Sequence, residues 1–311
     1  MSFIDDMRSD GHAVESICRV LREQGCPVAA RTYRAWRAPS RPVATRMVSD
    51  AVVIDALLAT RNTPEGLYGR RKMTHHLRRQ GHRVAFCTVD RLMTDLGMNG
   101  IRRGKRVRTT VPARDGRRAG DLLNRDFTAS APDTRWVADF TYCRSWAGFV
   151  YVAFIVDCFA QRIVAWHAAT TKHTDLVLTA LRIAAWQRDH DRHPLTPGEL
   201  VHHSDAGSQY TSIKFTEHLT LEGIAPSIGT VGDAYDNALM ETIIGLFKTE
   251  CIATTVFHDG PYNTIADIEF ATMGWVDWYN NRRLHSSIGY LPPAELEQAH
   301  YAAPNTERQP A

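Results

Sequence analysis

The sequence lacks any long hydrophobic run. The longest uninterrupted stretch of apolar residues covers residues 149–156, eight residues in all, whereas a helix that crosses a bilayer needs about 20. The N-terminus also lacks the basic segment followed by an apolar segment that marks a secretory signal. These absences exclude a transmembrane protein, and they lead us to expect a protein of the cytoplasm.

Cysteine is scarce and shows no short-range pairing. The six cysteines lie at positions 18, 26, 87, 143, 158 and 251, and no C-x-x-C motif occurs. This distribution argues against a zinc ribbon or a disulfide scaffold, and it fits a reducing compartment. With 44% hydrophobic and 23% charged residues among 311, the chain is long enough for about two domains with a buried core.

The formal net charge of +3 conceals an uneven distribution of charge. Residues 61–125 contain 17 Lys and Arg against 5 Asp and Glu, while the remainder contains 20 basic and 29 acidic residues. A basic module joined to an acidic one favours double-stranded nucleic acid as the partner, because phosphate neutralisation supplies most non-specific affinity. A solvated basic face is the alternative explanation.

Helical patterns, separated by glycine and proline, occupy the first 110 residues. Apolar residues at helical spacing predict short helices at about 14–21, 32–37, 48–58, 72–79 and 87–96. The last two helices flank a glycine turn and predict a helix-turn-helix at about 50–100, with a plain helical bundle as the alternative. We therefore predict an all-α DNA-binding region over residues 1–110.

A basic linker follows the predicted helix-turn-helix at residues 101–125. It is too charged and too rich in glycine to pack into a core, so we expect it to lie along DNA phosphates or in a minor groove. The candidate DNA contacts of this part of the chain are Arg91, Arg102, Arg103, Lys105 and Arg106.

From about residue 131 the pattern changes to short runs rich in Val, Ile, Phe and Tyr. These runs predict three consecutive strands, followed by helices that alternate with two further strands. This order predicts an α/β fold with a mixed five-stranded sheet and helices on both faces. We assign residues 126–300 to this core and expect the tail at 301–311 to be disordered.

Three carboxylates fall where an α/β sheet binds ligands. Asp139 lies in the first predicted strand, Asp205 follows the fourth, and Glu241 lies on a helix with 35 residues between it and Asp205. Strand ends open onto the crevice that binds ligands, and carboxylate oxygens suit Mg²⁺ or Mn²⁺. Two such ions about 4 Å apart serve phosphodiester chemistry by assisting both the attacking and the leaving oxygen.

The sequence predicts a helix near residues 234–248, and a helical projection adds two polar residues to the face that carries Glu241. At 100° per residue, Asn237 lies about 40° to one side of Glu241 and Lys248 about 20° to the other. This arrangement predicts that Asn237 and Lys248 contact DNA beside a metal ligand. A solvated helix face is the alternative explanation of the same pattern.

Three sequence blocks resemble the DD(35)E integrase core. They are Trp136-x-x-Asp139-x-Thr141-Tyr142, His203-Ser-Asp205-x-Gly207-x-Gln209-Tyr210 and Gly232-Asp-x-Tyr235-Asp-Asn237-Ala-x-x-Glu241. Tyr68-Gly69 with residues 89–93 resembles the helix-turn-helix segment of one family with this core, and residues 278–285 with 292–295 resemble its C-terminal signature. The chain thus resembles the product of the second open reading frame of the "IS-three" insertion-sequence transposases.

The resemblance implies an RNase H-like catalytic fold that uses Asp139, Asp205 and Glu241 as catalytic residues and metal ligands. It implies a DNA transposase, a DDE-type polynucleotidyl transferase that cleaves the 3′ ends of an insertion element and transfers the 3′-OH to target DNA. The cofactor would be Mg²⁺ or Mn²⁺, as two ions. The resemblance leaves two rival functions, a non-catalytic DNA-binding regulator of transposition and an RNase H-type nuclease.

The resemblance also bears on partners and location. It implies a homo-multimer on double-stranded DNA, both at the terminal repeats of the element and at the target. The partners extend to an upstream reading-frame product or a frameshift fusion with it, and no membrane is involved. The expected location is the bacterial cytoplasm, at the nucleoid.

Overall fold

The computed structural model describes residues 2–39, 42–102, 122–123, 126–229 and 237–303. Over these ranges, we find no helix with the length and apolar character needed to cross a membrane. The chain divides into two compact units, residues 1–55 and 56–311. The division falls inside the predicted helical region, and the predicted domain boundaries near residues 110 and 126 stay predictions. The predicted disorder of the tail at 301–311 is wrong for residues 301 and 302, which belong to a helix that spans Pro293–Ala302, and the tail from residue 304 onward lies outside the described residues.

The first unit is a small helical cluster. It contains α1 (Ser2–Ser9), α2 (Val14–Glu23), α3 (Ala30–Arg37) and the start of α4 (Thr45–Ala59). Ile4, Ile17, Cys18 and Tyr33 form its buried core. The Tyr33 hydroxyl donates a 2.7 Å hydrogen bond to a carboxylate oxygen of Asp5, which joins α3 to α1. Helix α1 has no counterpart among the predicted helices.

Two short helices form the predicted helix-turn-helix in the second unit. They are α5 (Arg70–Arg79) and α6 (Phe86–Asp95), and each begins and ends within two residues of its prediction. Apolar residues at helical spacing are buried between them, including Met73, Leu77, Val89 and Leu92. Gly81 takes a φ of 92° in the turn between the helices, a left-handed conformation that glycine adopts without strain.

A five-stranded mixed sheet forms the centre of the second unit, as the sequence predicts. The strands are β1 (Arg135–Ser145), β2 (Gly148–Asp157), β3 (Ile163–Ala169), β4 (Val201–Ser204) and β5 (Ala225–Ile228). Their order in the sheet is β3-β2-β1-β4-β5, and β2 is antiparallel to both of its neighbours, β1 and β3. Strands β4 and β5 run parallel to β1. This is an RNase H-like arrangement of strands.

Helices cover both faces of the sheet. On one face α7 (Thr174–His190) and α8 (Ile213–Leu221) share an apolar core with β1, where Trp136 and Ala138 are buried. On the other face lie α9 (Ala238–Leu246) and α10 (Ile265–Asn281). There the ring of Phe154 on β2 contacts the rings of Phe247 and Trp275. The prediction of helices on both faces is confirmed.

The sequence predicted that α9 continues as an α-helix to residue 248. This prediction is wrong, because the α-helix ends at Leu246. It changes at Phe247 into a π-helical segment that ends at Ile252. This wider winding places Glu250 and Cys251 in the interior, and the Cys251 thiol donates to the carbonyl oxygen of Ala271 on α10. Residues 234–236 of the predicted helix lie outside the described residues.

A buried ionic network fastens the last helix to the sheet. Helix α11 (Pro293–Ala302) carries Glu297, which is 2% exposed and pairs with Arg188 of α7 and with Arg162. The Arg188 guanidinium also lies 2.8 Å from a carboxylate oxygen of Asp133. Because both partners of the central pair are buried, removing either one leaves the other with only part of its compensating charge in the interior.

Candidate active site

The pairing of β1 with β4 places Asp139 beside Asp205. The two strands are parallel, and their register pairs Ala138 with Ser204. Asp139 follows Ala138, and Asp205 follows Ser204. The two carboxylates therefore lie side by side where β4 ends, and neighbouring strands there are about 4.8 Å apart. Both residues are half-buried.

The electrostatic environment of Asp139 is unfavourable for a free carboxylate. Burial and then the nearby charge of Asp205 raise the pKa of Asp139 above its usual value. A hydrogen bond from the Phe140 backbone N–H, 2.7 Å long, and the charge of Lys248 act in the opposite direction. A carboxylate pair of this kind fits a divalent cation, because an added positive charge removes the repulsion and oxygen ligands suit Mg²⁺ or Mn²⁺.

Glu241 lies in the first turn of α9, and Asn237 ties that turn to β1. The Asn237 side-chain amide donates a 3.2 Å hydrogen bond to the carbonyl oxygen of Ala138, which precedes Asp139. The Glu241 backbone N–H donates to the Asn237 carbonyl oxygen, 3.0 Å away. Among the described residues, no three of His, Cys, Asp and Glu form a group that could hold an ion. The structure therefore brings Asp139 and Asp205 together and places Glu241 on the adjacent helix.

Asn237 does not lie on an exposed helix face, where the sequence placed it as a DNA contact. It precedes α9, with φ −135° and ψ 38°, and it is 3% exposed. Its side-chain oxygen has no hydrogen-bond partner in the described part of the chain. Burial and the bond to Ala138 favour a positioning role for Asn237 over direct contact with DNA.

Lys248 lies close to Asp139, and its predicted contact with DNA stays a prediction. Its side chain is exposed, and its Nζ lies 5.1 Å from the centroid of the Tyr142 ring. Its charge lowers the pKa of Asp139, which requires the two groups to be close. An ammonium in this position is placed to contact a phosphate that enters the site.

The other predicted DNA contacts lie at or beyond the helix-turn-helix. Arg91 on α6 is partly exposed and lies 3.5 Å from the carboxylate of Asp95. Arg102 is exposed. Arg103, Lys105 and Arg106 lie outside the described residues. All five stay predictions.

Tyr210 is a residue of the site that had no role in the sequence analysis. It is 4% exposed, and within the described ranges its hydroxyl has no hydrogen-bond partner. Burial, then the charges of Asp139 and Asp205, raise the pKa of Tyr210 well above its usual value. Its place five residues after Asp205 is a sequence signal that the two residues are close. That spacing does not reveal that the Tyr210 hydroxyl is buried beside both acids.

The residues at the C-terminal signature are structural contacts. The Arg283 guanidinium donates two hydrogen bonds to the Glu250 carboxylate, 2.9 Å and 2.6 Å long, and both residues are buried. The Tyr68 hydroxyl accepts a 3.0 Å hydrogen bond from the Leu284 backbone N–H. The signature therefore closes the interior behind α10 and fixes the segment that precedes α5.

Family models match most of the chain. Two models described as an integrase core domain match residues 129–234 and 222–293. A model described as an HTH-like domain matches residues 50–106. The matches fall on the sheet with its acids, on the C-terminal helices and on the helix-turn-helix.

Named relatives are similar to this chain over most of its length. The transposase for insertion sequence element IS629 of Shigella sonnei is 49% identical over 237 residues, 76% of each chain. A relative from Mycobacterium tuberculosis, named for element IS986/IS6110, is 46% identical over 278 residues, 89% of this chain and 97% of the relative. Transposase InsF for IS3A of Escherichia coli is 27% identical over 292 residues, 93% and 96%.

Solved structures of viral integrases are similar at lower identity. The HTLV-2 integrase catalytic core domain in complex with magnesium has a TM-score of 0.42 and 14% identity, over 54% of this chain and 98% of that chain. A simian T-cell lymphotropic virus intasome in complex with PP2A regulatory subunit B56 gamma has a TM-score of 0.47 and 14% identity, over 76% and 73%.

Proposed function

Because the chain belongs to the IS3 family of insertion-sequence transposases, we propose that it cleaves the 3′ ends of an insertion element and joins them to target DNA. The observation that carries this proposal is the pair of carboxylates that follow the last paired residues of the parallel strands β1 and β4. Asp139 and Asp205 would be ligands and catalytic residues there, with Glu241 as the third.

The donor set suits a hard divalent cation, and the proposed cofactor is Mg²⁺ or Mn²⁺, as two ions. When bound, such ions neutralise phosphate charge and lower the pKa of the attacking oxygen. The chain itself contributes the three carboxylates, and Lys248 contributes a positive charge beside them. Asn237 sets the distance between the Glu241 helix and the Asp139 strand through its bond to Ala138.

Each proposed reaction breaks one phosphodiester bond, and joining also forms a new one. In cleavage a water oxygen attacks phosphorus, the bond from phosphorus to the 3′ oxygen breaks, and that oxygen leaves as the 3′-OH after taking a proton. In joining, this 3′-OH attacks a target phosphorus, and a target 3′ oxygen leaves in the same way. The same carboxylates would serve both steps, because in each step negative charge is spread over the attacking, leaving and equatorial oxygens of one phosphate in the site.

Recognition of the element is proposed to lie in the helix-turn-helix and the basic residues that follow it. The HTH-like match and the exposed Arg102 support this assignment. Joining two element ends to one target requires two sites at once, so we propose a multimer on DNA. A fusion with an upstream reading-frame product is proposed as a further form of the chain, and the nucleoid as its place of action.

A DNA-binding regulator without catalytic activity is the second candidate function. One observation favours it, since Asp139, Asp205 and Glu241 are not assembled into an ion-holding group in the described part of the chain. A regulator would bind element ends and leave them intact in every metal ion.

The test is cleavage and joining of a labelled duplex that carries the end of the encoding element. The full chain and the upstream fusion are each assayed with Mg²⁺, Mn²⁺ or EDTA, beside Asp139→Asn and Asp205→Asn. The matched control is Glu217→Gln, an exposed carboxylate on α8. We expect metal-dependent product that both aspartate variants lose and the control retains. Binding without product in both protein forms would establish the regulator.

A further inference from the structure

The hairpin between β1 and β2 exposes a cluster of aromatic residues. Trp146 at its tip is 81% exposed, Phe149 is 47% exposed, and Tyr142 is 39% exposed. Arg144 extends from the same surface and is also exposed. We name these four residues, Tyr142, Arg144, Trp146 and Phe149, the hairpin platform. Exposed aromatic residues that adjoin one another in this way mark an interaction surface.

Positive charges lie directly on these rings. The Arg144 guanidinium carbon is 5.8 Å from the centroid of the Phe149 ring, and the Lys248 Nζ is 5.1 Å from the centroid of the Tyr142 ring. The Tyr142 and Phe149 rings themselves meet edge to face, 5.3 Å apart. A surface that alternates rings and cations suits single-stranded nucleic acid, since bases stack on the rings and phosphates meet the cations.

The tip of the hairpin is held in place. The backbone N–H of Trp146 donates a 2.8 Å hydrogen bond to the Tyr262 carbonyl oxygen, and that of Ala147 donates a 3.0 Å bond to the Asn263 carbonyl oxygen. Within the turn, the Ser145 hydroxyl donates to the Gly148 carbonyl oxygen at 2.8 Å. The exposed Trp146 ring therefore stands on a fixed backbone, which lowers the entropy lost when a ligand stacks on it.

Strand β1 leads from the carboxylates to this surface. At about 3.3 Å per residue, Tyr142 lies about 10 Å and Trp146 about 23 Å along the strand from Asp139. Lys248 connects the two regions, because its ammonium lies over the Tyr142 ring and its charge also lowers the pKa of Asp139. Because side chains alternate along a strand, Asp139 and Tyr142 leave β1 on opposite faces, so a DNA strand that reached both would pass around β1 on the side of Lys248.

We propose that the hairpin platform binds unpaired nucleotides of a DNA strand that enters the active site. Trp146 stacks on a base, and Arg144 and Lys248 contact the flanking phosphates. This proposal rests on the proposed function, because it takes the strand at Asp139 to be DNA. The strand comes either from a frayed element end or from an opened target, and both sources present the same chemistry.

The test measures the affinity of the full chain for three labelled DNAs by fluorescence anisotropy in EDTA. The DNAs are a blunt element end, the same end with its terminal nucleotides unpaired, and an unpaired bubble in target sequence. We expect Trp146→Ala to weaken binding of the unpaired DNAs about tenfold, with the blunt end unchanged. Trp146→Phe retains most of the affinity, because it keeps a ring. The matched control is Trp186→Ala, which removes a 61% exposed tryptophan from α7 and changes none of the three.

The arms of the experiment separate the outcomes. If Trp146→Ala loses affinity only for the frayed end, the platform binds the element strand. If it loses affinity only for the bubble, the platform binds the target strand. Equal affinities of wild type and Trp146→Ala for all three DNAs would overturn the proposal. A change of oligomeric state in Trp146→Ala, with DNA affinity unchanged, would also overturn it and assign the platform to a second copy of the chain.

Cross-linking locates the contact independently of affinity. An unpaired 5-iododeoxyuridine in the DNA of highest affinity is irradiated with the full chain, and the linked peptide is identified by mass spectrometry. We expect the link within residues 142–149, and a link elsewhere contradicts the proposal. Since these measurements need no catalysis, failure of cleavage in metal would count against the proposed function while binding by the platform stands.

Discussion

The Asn237 side-chain amide lies 3.2 Å from the carbonyl oxygen of Ala138 and donates a hydrogen bond to it. This bond joins the start of α9 to the middle of β1, so it relates the element that carries Glu241 to the strand that carries Asp139. Asn237 and Ala138 are both buried, so loss of this bond would leave polar groups in the interior without it. The spacing of Asp139 and Glu241, two of the proposed catalytic carboxylates, thus depends on a residue that need not touch the substrate.

Removing the Asn237 amide should reduce cleavage more than DNA binding. We expect Asn237→Ala to lower the single-turnover cleavage rate about 10- to 100-fold, because a small displacement of Glu241 misplaces a ligand. The affinity for the element end should change by less than about twofold. Asn281→Ala is the control, since Asn281 is an exposed asparagine on α10 that bonds to Asp277. If affinity fell as far as the cleavage rate, Asn237 would be a DNA contact after all.

Lys248 should contribute a sequence-independent contact with phosphate. We expect Lys248→Ala to weaken binding of DNA ends of any sequence by a similar factor and to reduce the slope of log affinity against log salt by about 1. Lys248→Arg keeps the charge and should keep the slope. Affinity measured between low and moderate salt checks this, and an unchanged slope in Lys248→Ala would rule the contact out.

The buried pair of Arg188 with Glu297 should be essential for stability. We expect Glu297→Ala to lower the free energy of unfolding by about 3–5 kcal/mol, because it removes the buried carboxylate that Arg188 and Arg162 share and leaves Asp133 as the one remaining carboxylate on Arg188. Glu295→Ala on the same helix breaks an exposed pair with Arg79 and should cost less than about 1 kcal/mol. Urea unfolding of both variants makes the comparison, and similar losses would refute the role of burial.

The pH dependence of stability should carry a contribution from Asp157. Burial raises the pKa of Asp157 from 3.8 to about 7, despite hydrogen bonds from backbone N–H groups. A carboxyl whose pKa is raised by folding favours the folded state when protonated, so this contribution is lost as the pH rises from about 4 to about 7. Its size is about 4 kcal/mol at most.

Asp157→Asn provides the test of this contribution, since an amide does not titrate. We expect the free energy of unfolding of the wild type to fall more steeply between pH 5 and pH 8 than that of the variant. The two proteins share every other titrating group, so the difference between their slopes reports Asp157. Parallel curves over this range would show that the Asp157 pKa is not raised.

The sheet and two of its acids were accessible from the sequence because their signals are local. Strands β1, β2 and β3 are short runs rich in β-branched and aromatic residues, Asp139 falls within the first of them, and Asp205 directly follows the short strand β4. Parallel pairing then brings the two carboxylates together without further information. The fold class follows from the order of the runs, which is also a property of the sequence alone.

The surroundings of Glu241 were less predictable, because they depend on where the helix begins and how it winds. The projection assumed a continuous α-helix, yet Asn237 precedes α9 and turns its side chain to Ala138. Lys248 lies in the π-helical segment that begins at Phe247, so the 100° per residue of the projection does not apply to it, and its place beside Glu241 stays a prediction. A cap and a change of winding are decided by tertiary contacts, which periodicity does not report.

The role of the C-terminal signature was beyond the reach of sequence periodicity for a different reason. Arg283 pairs with Glu250, which is 33 residues away, and Leu284 bonds to Tyr68, which is 216 residues away. Such partners are chosen by the fold as a whole. The motif therefore suggested a family without showing that its residues are buried contacts.

The most direct test of the account is the joining of a pre-cleaved element end to a target plasmid in Mn²⁺, with wild type, Glu241→Gln and the control Glu217→Gln. We expect Glu241→Gln to lower the amount of joined product by about 100-fold or more, because a proposed metal ligand is lost, while its affinity for the DNA end is retained. The control should join as the wild type does. Joining by Glu241→Gln at the wild-type level would contradict the assignment of Glu241 as the third carboxylate of the site.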